Sequence, residues 1–197
     1  MSADQPAWLH AIVDDHVATA EGLRSLLPRV AEVADLLITT FEAGGFVYTF
    51  GNGGSAADAQ HLSGELIGHY KRDRRPLPCL TLSTDPSVMT CTANDYSYDD
   101  VFSRQVEALA RPGSVFIAFT TSGKSPNVVS ALRCARGAGA TTVLFGGAGG
   151  GPALEHADHA LVAPSAKTAR IQEMHTTMLH MVSEQVDAWA AGEEPEA

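Results

Sequence analysis

Apolar residues recur at helical spacing through the first 44 residues, after which short apolar runs alternate with helical segments. One face of the first predicted helix carries Leu9, Ile12, Val13 and Val17. A second helix follows, with Pro28 in its first turn and Gly44 at its end. We therefore predict two helices ahead of the core, whose apolar stripes pack either on the domain or on another subunit.

Five short runs rich in β-forming residues then occur at 46–50, 78–83, 114–120, 141–147 and 159–164. Helical segments separate them, and a long helix from about Lys167 to Ala191 ends the pattern. Strands and helices that alternate in this way indicate parallel strands joined by right-handed crossovers. The predicted fold class is α/β, a three-layer αβα sandwich with a five-stranded parallel sheet.

Length and composition suit a single domain over residues 1–197, because 45% of the residues are hydrophobic and can fill one core. We divide it into a helical extension (1–44) used in packing or oligomerisation, the sandwich core (45–191) and an acidic tail (192–197). The formal charge of −10 lacks the positive field that drives non-specific nucleic-acid binding. Any bound phosphate must therefore be held locally.

The expected location is the cytoplasm, with neither nucleic acid nor membrane as a partner. The N-terminus carries acids where a signal peptide would be positive, and no apolar run is long enough to cross a bilayer. The three cysteines, Cys79, Cys91 and Cys134, are far apart and form no CxxC pattern. That usage is typical of a reducing compartment.

A glycine turn follows the first strand. Gly51, Gly53 and Ala56 satisfy the dinucleotide pattern G-x-G-x-x-G/A between a strand and a helix. A dinucleotide site also needs an acid at the end of the next strand, and the only candidate, Asp85, lies beyond the usual spacing of roughly 20 residues. We rank a dinucleotide third among the possible ligands, although free amides at a helix N-terminus still suit an anion.

A hydroxyl-rich turn follows the third strand, in "AFTTSGKS". It matches a loosened Walker A pattern with Ala118 in place of the first glycine, but it lacks the glycines that wrap a triphosphate. Its hydroxyls and amides can hold one phosphate dianion. Alternatively, Ser125 is only a helix N-cap. Two such turns at strand ends favour a phosphate or sugar-phosphate ligand over plain capping.

Ionisable residues recur on two predicted helices. His61 and Glu65 are one turn apart and can reach one metal ion or substrate, although this spacing taken alone favours a solvated surface pair. On the last helix, Gln172 and His180 lie on one stripe with Thr176 between them, and His175 lies on another side. Spacing alone does not choose between the two histidines.

Four blocks, "GNGGSAADAQHLSGEL", "ANDYSYDDVFSRQVEAL", "TTSGKSPNVVSAL" and "ARIQEMH", together resemble the sugar isomerase (SIS) domain family and, within it, the phosphoheptose isomerases. The resemblance covers nearly the whole chain and implies the SIS fold. It also implies a homotetramer with active sites between subunits. The implied enzyme is an aldose–ketose isomerase that converts sedoheptulose 7-phosphate to D-glycero-D-manno-heptose 7-phosphate through an enediol(ate), the first step of nucleotide-activated heptose biosynthesis.

The resemblance also assigns site residues. It implies one Zn²⁺ per subunit, bound by His61, Glu65, Gln172 and His180, which favours His180 over His175. The substrate contacts carry over to Asn52, Gly53, Gly54, Ser55, Glu65, Asn94, Asp95, Thr120, Thr121, Ser122, Ser125 and Gln172. For catalysis we assign Glu65 as the base at carbon and His180 as its acid/base partner, as a hypothesis.

Two alternatives remain open. The first is a non-catalytic SIS tetramer that binds a protein partner, of the DnaA initiator-associating type, a branch that lacks the counterparts of Glu65 and His180. The second is an isomerase, or a sensor, of another ketose phosphate.

Overall fold

The computed structural model describes residues 6–196 of the chain. Its helices are α1 Ala7–Gly22, α2 Leu27–Glu42, α3 Gly54–Ile67, α4 Pro86–Asp95, α5 Ser103–Leu109, α6 Pro126–Gly137 and α7 Thr168–Ala191. Its strands are β1 Val47–Gly51, β2 Cys79–Thr81, β3 Val115–Phe119, β4 Thr141–Gly146 and β5 His159–Val162. Short 3-10 turns occupy Leu23–Leu26, Tyr98–Asp100 and Gly151–His156. The predicted ranges at 1–5 and 197 lie outside the described residues.

All pairings in the five-stranded sheet are parallel, in the order β2-β1-β3-β4-β5. The prediction of five parallel strands in a three-layer sandwich is therefore confirmed. Every residue of β1 and β3 is buried, which explains why these strands appear in the sequence as continuous apolar runs rather than as alternating ones.

Two apolar clusters form the core, one on each face of the sheet. Ile117 and Phe119 of β3 point toward the layer formed by α2, α3 and α7. Phe116 and Ala118 of the same strand point toward α5 and α6 on the other side. The alternation along a strand thus divides the side chains between two covered faces.

The two N-terminal helices bury different amounts of their apolar stripes. In α2, Val33 and Leu37 are buried against the core, and this helix packs on α7. In α1, the apolar side chains are exposed, with Trp8 at 63% and Val13 at 60%. The second stripe therefore packs on the domain, whereas the first is left uncovered by residues 6–196.

The region predicted as one helical segment after β2 is divided into α4 and α5 by the turn at Tyr98–Asp100. Asp85 caps α4, since its carboxylate accepts hydrogen bonds from the amides of Ser87 (2.8 Å) and Val88 (3.1 Å). The acid that a dinucleotide site would have required thus has a structural use. Over residues 6–196, no helix combines the length and the apolar character needed to cross a membrane.

Candidate active site

The two predicted anion-binding turns lie side by side at the carboxyl edge of the sheet. From β1 the chain moves to β2 on one side and then crosses to β3 on the other, so β1 and β3 flank the point where the strand order reverses. Gly51 at the end of β1 is in register with Phe119 at the end of β3. Ligands of such folds bind in the crevice at this position.

Glycine is required at two positions of the first turn by close approach or backbone conformation. A Cβ atom on Gly51 would lie 2.7 Å from the carbonyl oxygens of Phe119 and Ser55, so a side chain there would push α3 away from the sheet. Gly53 has a φ of 56°, in the left-handed region that favours glycine. These residues bring the start of α3 to the strand ends.

An amide pair that no sequence pattern predicts joins the two turns. Asn52 Nδ2 donates to Asn127 Oδ1 (2.9 Å), and Asn127 Nδ2 donates back to Asn52 Oδ1 (3.0 Å). The Tyr98 hydroxyl also donates to Asn52 Oδ1 (3.2 Å). Asn127 is buried, and its only signal in the sequence is a polar residue directly after Pro126 at the start of an apolar helix.

The second turn is stabilised mainly by its own hydroxyls. Thr120 Oγ1 accepts the amide of Gly123 (3.1 Å), and Ser122 Oγ accepts that of Lys124 (3.2 Å). Ser125 occupies the N-cap position of α6, but its hydroxyl makes no capping hydrogen bond. The alternative that Ser125 acts only as a cap is therefore not supported, and its hydroxyl is available to a ligand.

Helices α3 and α7 lie side by side and run in the same direction, as three contacts along them show. Near the start of α3, a Cβ atom on Gly54 would collide with the Gln172 side-chain amide. One turn farther, the Thr176 hydroxyl lies 3.4 Å from Asp58 Oδ1. About one turn farther again, the imidazoles of His61 and His180 are in contact. The stripe predicted on the last helix therefore faces the predicted pair on α3.

His61, Glu65 and His180 form one cluster, whose ligand atoms all lie within 4.8 Å of one another. His61 Nε2 is 3.0 Å from Glu65 Oε1 and 3.2 Å from His180 Nε2. Two imidazole nitrogens bound tetrahedrally to zinc at 2.0–2.1 Å would be about 3.3 Å apart, so the donor spacing suits such an ion. The surface-pair alternative for His61 and Glu65 is not supported, since both side chains converge on a third donor.

Burial lowers the pKa of His180, and the neighbouring His61 lowers it further, whereas Glu65 opposes both effects. The imidazole is therefore neutral near pH 7, with one nitrogen free to bind a metal ion or accept a proton. The ring of Tyr70 stacks on that of His180, with centroids 5.5 Å apart. His175, by contrast, is fully buried and donates from Nε2 to the Gly146 carbonyl (3.0 Å), which is a structural role.

Three other predicted residues lie outside this cluster. Gln172 lies about two turns before His180 on α7, at the level of Gly54. Asn94 and Asp95 end α4, where Asn94 Nδ2 donates to Asp95 Oδ1 (2.7 Å). That bond, followed by one from the Cys91 thiol, lowers the pKa of Asp95. Substrate contact by Asn94 and Asp95, and metal binding by Gln172, stay predictions.

Comparison with known proteins agrees with this geometry. The family model of the SIS domain matches residues 17–147. A phosphoheptose isomerase from Paramagnetospirillum magneticum is 52% identical over 188 residues, with 95% of each chain covered. One from Roseiflexus sp. is 42% identical over 191 residues, covering 95% of this chain and 97% of its own. The chain belongs to the SIS domain family, within the phosphoheptose isomerases.

A solved structure from this family supports the same assignment. The phosphoheptose isomerase from Neisseria gonorrhoeae superposes with a TM-score of 0.87 at 33% identity, covering 92% of this chain and 97% of that one. The sandwich and its helical extension are thus shared almost end to end with a phosphoheptose isomerase. The resemblance noted in the four sequence blocks is confirmed.

Proposed function

We propose that the protein is a phosphoheptose isomerase that converts sedoheptulose 7-phosphate to D-glycero-D-manno-heptose 7-phosphate. The observation that carries this proposal is the convergence of Glu65 and His180 on His61, on two helices whose N-terminal turns meet at Gly54 of the first anion-ready turn. Proteins named phosphoheptose isomerase match the chain at 42–52% identity over 95% of its length. In heptose synthesis this step comes first and supplies the phosphorylated aldose for nucleotide activation.

The phosphate group is assigned to the turns after β1 and β3. In the first turn, the ligands are the backbone amides and side chains of Asn52, Gly53, Gly54 and Ser55. In the second turn, they are the hydroxyls of Thr120, Thr121, Ser122 and Ser125. A helix N-terminus and several hydroxyls hold a dianion without a net positive protein. The assignment explains how a chain with a formal charge of −10 binds a sugar phosphate.

The chemistry needs a base for a carbon-bound proton and an acid/base partner for the oxygens. In our proposal the Glu65 carboxylate removes a proton from C1 of the ketose, while the His180 imidazole N–H gives a proton to the C2 oxygen. The resulting enediol loses its O1 proton to His180 and regains a proton at C2 from Glu65. Protons are conserved over the cycle, and the carbonyl has moved from C2 to C1.

A divalent metal ion, Zn²⁺ in our proposal, completes the site with one ion per subunit. His61, Glu65 and His180 would hold it, with Gln172 as the predicted fourth ligand, and the two-histidine, one-carboxylate donor set suits zinc. When bound there, such an ion would polarise the substrate oxygens. The lowered pKa of His180 keeps its nitrogen available as a ligand.

A homotetramer with active sites between subunits is also part of the proposal. Its support is the exposed apolar face of α1, formed by Trp8, Leu9, Ile12, Val13 and Val17, which is suited to cover by another subunit. We place the enzyme in the cytoplasm, where sugar phosphates are made and consumed, and its three cysteines are free thiols. Nucleic acid and membrane are not among the proposed partners.

The test is incubation of purified protein with sedoheptulose 7-phosphate, followed by NMR detection of the aldose. We expect conversion that a chelator abolishes and added Zn²⁺ restores. Fructose 6-phosphate in a parallel reaction tests the alternative of another ketose phosphate. If neither substrate is converted under any metal condition, the proposal is refuted and a non-catalytic binding protein is favoured. The presence of Glu65 and His180, both beside His61, argues against that outcome.

A further inference from the structure

A buried carboxylate outside the proposed site organises the irregular segment that follows α3. Asp187, on α7, has a fully buried side chain. Its oxygens accept hydrogen bonds from three consecutive amides, those of Tyr70 (3.1 Å), Lys71 (3.1 Å) and Arg72 (2.9 Å). Burial alone would raise the pKa of Asp187, but these amides and the Arg74 side chain outweigh it and lower the pKa. Asp187 is therefore a charged anchor for this segment.

Arg74 connects this anchor to the end of α3. Its side chain is 1% exposed, and its Nε donates to Asp187 Oδ1 (2.9 Å). Its Nη1 donates to the carbonyls of Leu66 (2.8 Å) and Gly68 (3.2 Å), and its Nη2 donates to that of Glu65. Because the last carbonyls of a helix have no partners within it, one guanidinium both caps α3 and ties it to α7.

The helices joined in this way carry the metal and acid/base cluster. Glu65 lies in the last turn of α3, at the residue whose carbonyl Arg74 binds. His180 lies about two turns before Asp187 on α7. Tyr70, whose amide Asp187 binds, stacks its ring on the His180 imidazole. The network therefore reaches both catalytic candidates, through the Glu65 carbonyl and the His180 ring.

We propose that Asp187 is a positioning residue: through Arg74 and the amides of residues 70–72, it holds Tyr70 against His180 and fixes α3 beside α7. This inference rests on the isomerase function proposed above. It assigns a role in the reaction to a residue that contacts none of the reacting groups. Residues that orient metal ligands from outside the ligand set typically change metal affinity or activity by roughly 10- to 100-fold when replaced.

The experiment compares Asp187→Asn with the wild-type protein and with Glu193→Gln as a matched control. Glu193 pairs with Arg72 of the same segment, but its side chain is 59% exposed and forms no hydrogen bond or ion pair with Asp187, Tyr70 or Arg74 among the described residues. Zn²⁺ affinity is measured without substrate, by competition with a chromophoric chelator. kcat and KM are measured with sedoheptulose 7-phosphate, and circular dichroism confirms folding at the assay temperature.

We expect Asp187→Asn to bind Zn²⁺ roughly 10- to 100-fold more weakly and to lose kcat by a similar factor, with KM unchanged. The control should match the wild type in all three. Tyr70→Ala leaves the Asp187–Arg74 pair intact and tests the stacking separately, and it should also weaken Zn²⁺ binding. Wild-type Zn²⁺ affinity and kcat in both folded variants would overturn the inference, as would a change in KM alone.

The experiment distinguishes failure of the positioning role of Asp187 from failure of the proposed isomerase function. If the wild-type protein does not isomerise sedoheptulose 7-phosphate, the function is refuted, but the Zn²⁺ affinities still test whether Asp187 positions the cluster. If the wild-type protein is active and the two folded variants bind Zn²⁺ like the wild type, the function stands and the positioning role is refuted.

Discussion

Replacing Gly54 by alanine should disturb the candidate active site and leave the stability of the fold nearly unchanged. The new Cβ would lie 3.0 Å from the Gln172 side-chain carbonyl carbon and 3.2 Å from its oxygen, with the amide nitrogen nearer still. Since unstrained contacts between such atoms lie at roughly 3.5–4.0 Å, the end of this side chain must move by about 1 Å. The atoms that move belong to a flexible side chain, so the backbone can stay in place.

Gly54→Ala should therefore lower turnover much more than it lowers stability. A shift of about 1 Å at a positioned group can reduce turnover by about 100-fold, equivalent to about 2.7 kcal/mol in the barrier. A side chain displaced from its preferred rotamer costs about 1 kcal/mol, whereas alanine in a helix gains roughly 0.5–1 kcal/mol over glycine. The two terms nearly cancel, so we expect the melting temperature of Gly54→Ala to stay close to that of the wild type.

Gly64→Ala in the same helix is the matched control, because nothing lies within 4 Å of its added Cβ. It should stabilise the protein by about 0.5–1 kcal/mol, raise the melting temperature by about 1–4 °C and leave the kinetics unchanged. Thermal melts and steady-state kinetics on the two variants test both expectations. Wild-type kcat and KM in Gly54→Ala would refute the view that the Gln172 amide must lie where the structure places it.

Three further predictions concern other parts of the molecule. Glu65→Gln should abolish turnover in NMR assays while leaving the assembly intact, and an active variant would exclude Glu65 as the base. Val13→Asp, on the exposed face of α1, should reduce the mass measured by light scattering; an unchanged mass would show that this face is not an interface. Glu184→Gln should flatten the dependence of stability on pH between about 4.5 and 2. Burial raises the pKa of Glu184, but bonds from the Glu196 amide, Lys71 and Arg72 lower it to about 2, so its contribution is present above pH 4.5 and lost below. Urea titrations across that range test this, and parallel curves for variant and wild type would contradict it.

Features set by local pattern were predictable from the sequence. Strand runs flanked by turn residues identified all five strands, and Pro28 and Gly44 bracketed α2. Spacing could not distinguish His180 from His175, and only the resemblance favoured His180, whose role in the site stays a prediction. The structure separates the two histidines by position, because His175 is buried against Phe119 and Phe145 whereas His180 lies beside His61.

Features that depend on contacts distant in the chain were not predictable in this way. Asn127 pairs with Asn52, 75 residues away in sequence, and no sequence pattern around either residue predicts this pairing. The exposure of the α1 stripe could not be inferred either, since the same apolar periodicity describes a helix packed on its own core and one packed on a neighbour. Whether an apolar helix face is buried within the chain depends on the tertiary packing of the other elements.

The cluster of His61, Glu65 and His180 also depends on contacts between distant parts of the chain, because it requires α3 and α7 to be aligned. A slide of one helical turn, about 5.4 Å, would separate His61 from His180 and abolish their shared site. Contacts oppose this slide at both ends: Gln172 abuts Gly54 at the start of α3, and the Arg74–Asp187 pair closes its far end. Those partners lie more than a hundred residues apart in sequence, so helical periodicity can place each donor on a face but cannot align the faces. The site is therefore set by the register between two helices, and substitutions that shift this register should reduce metal affinity before they unfold the chain.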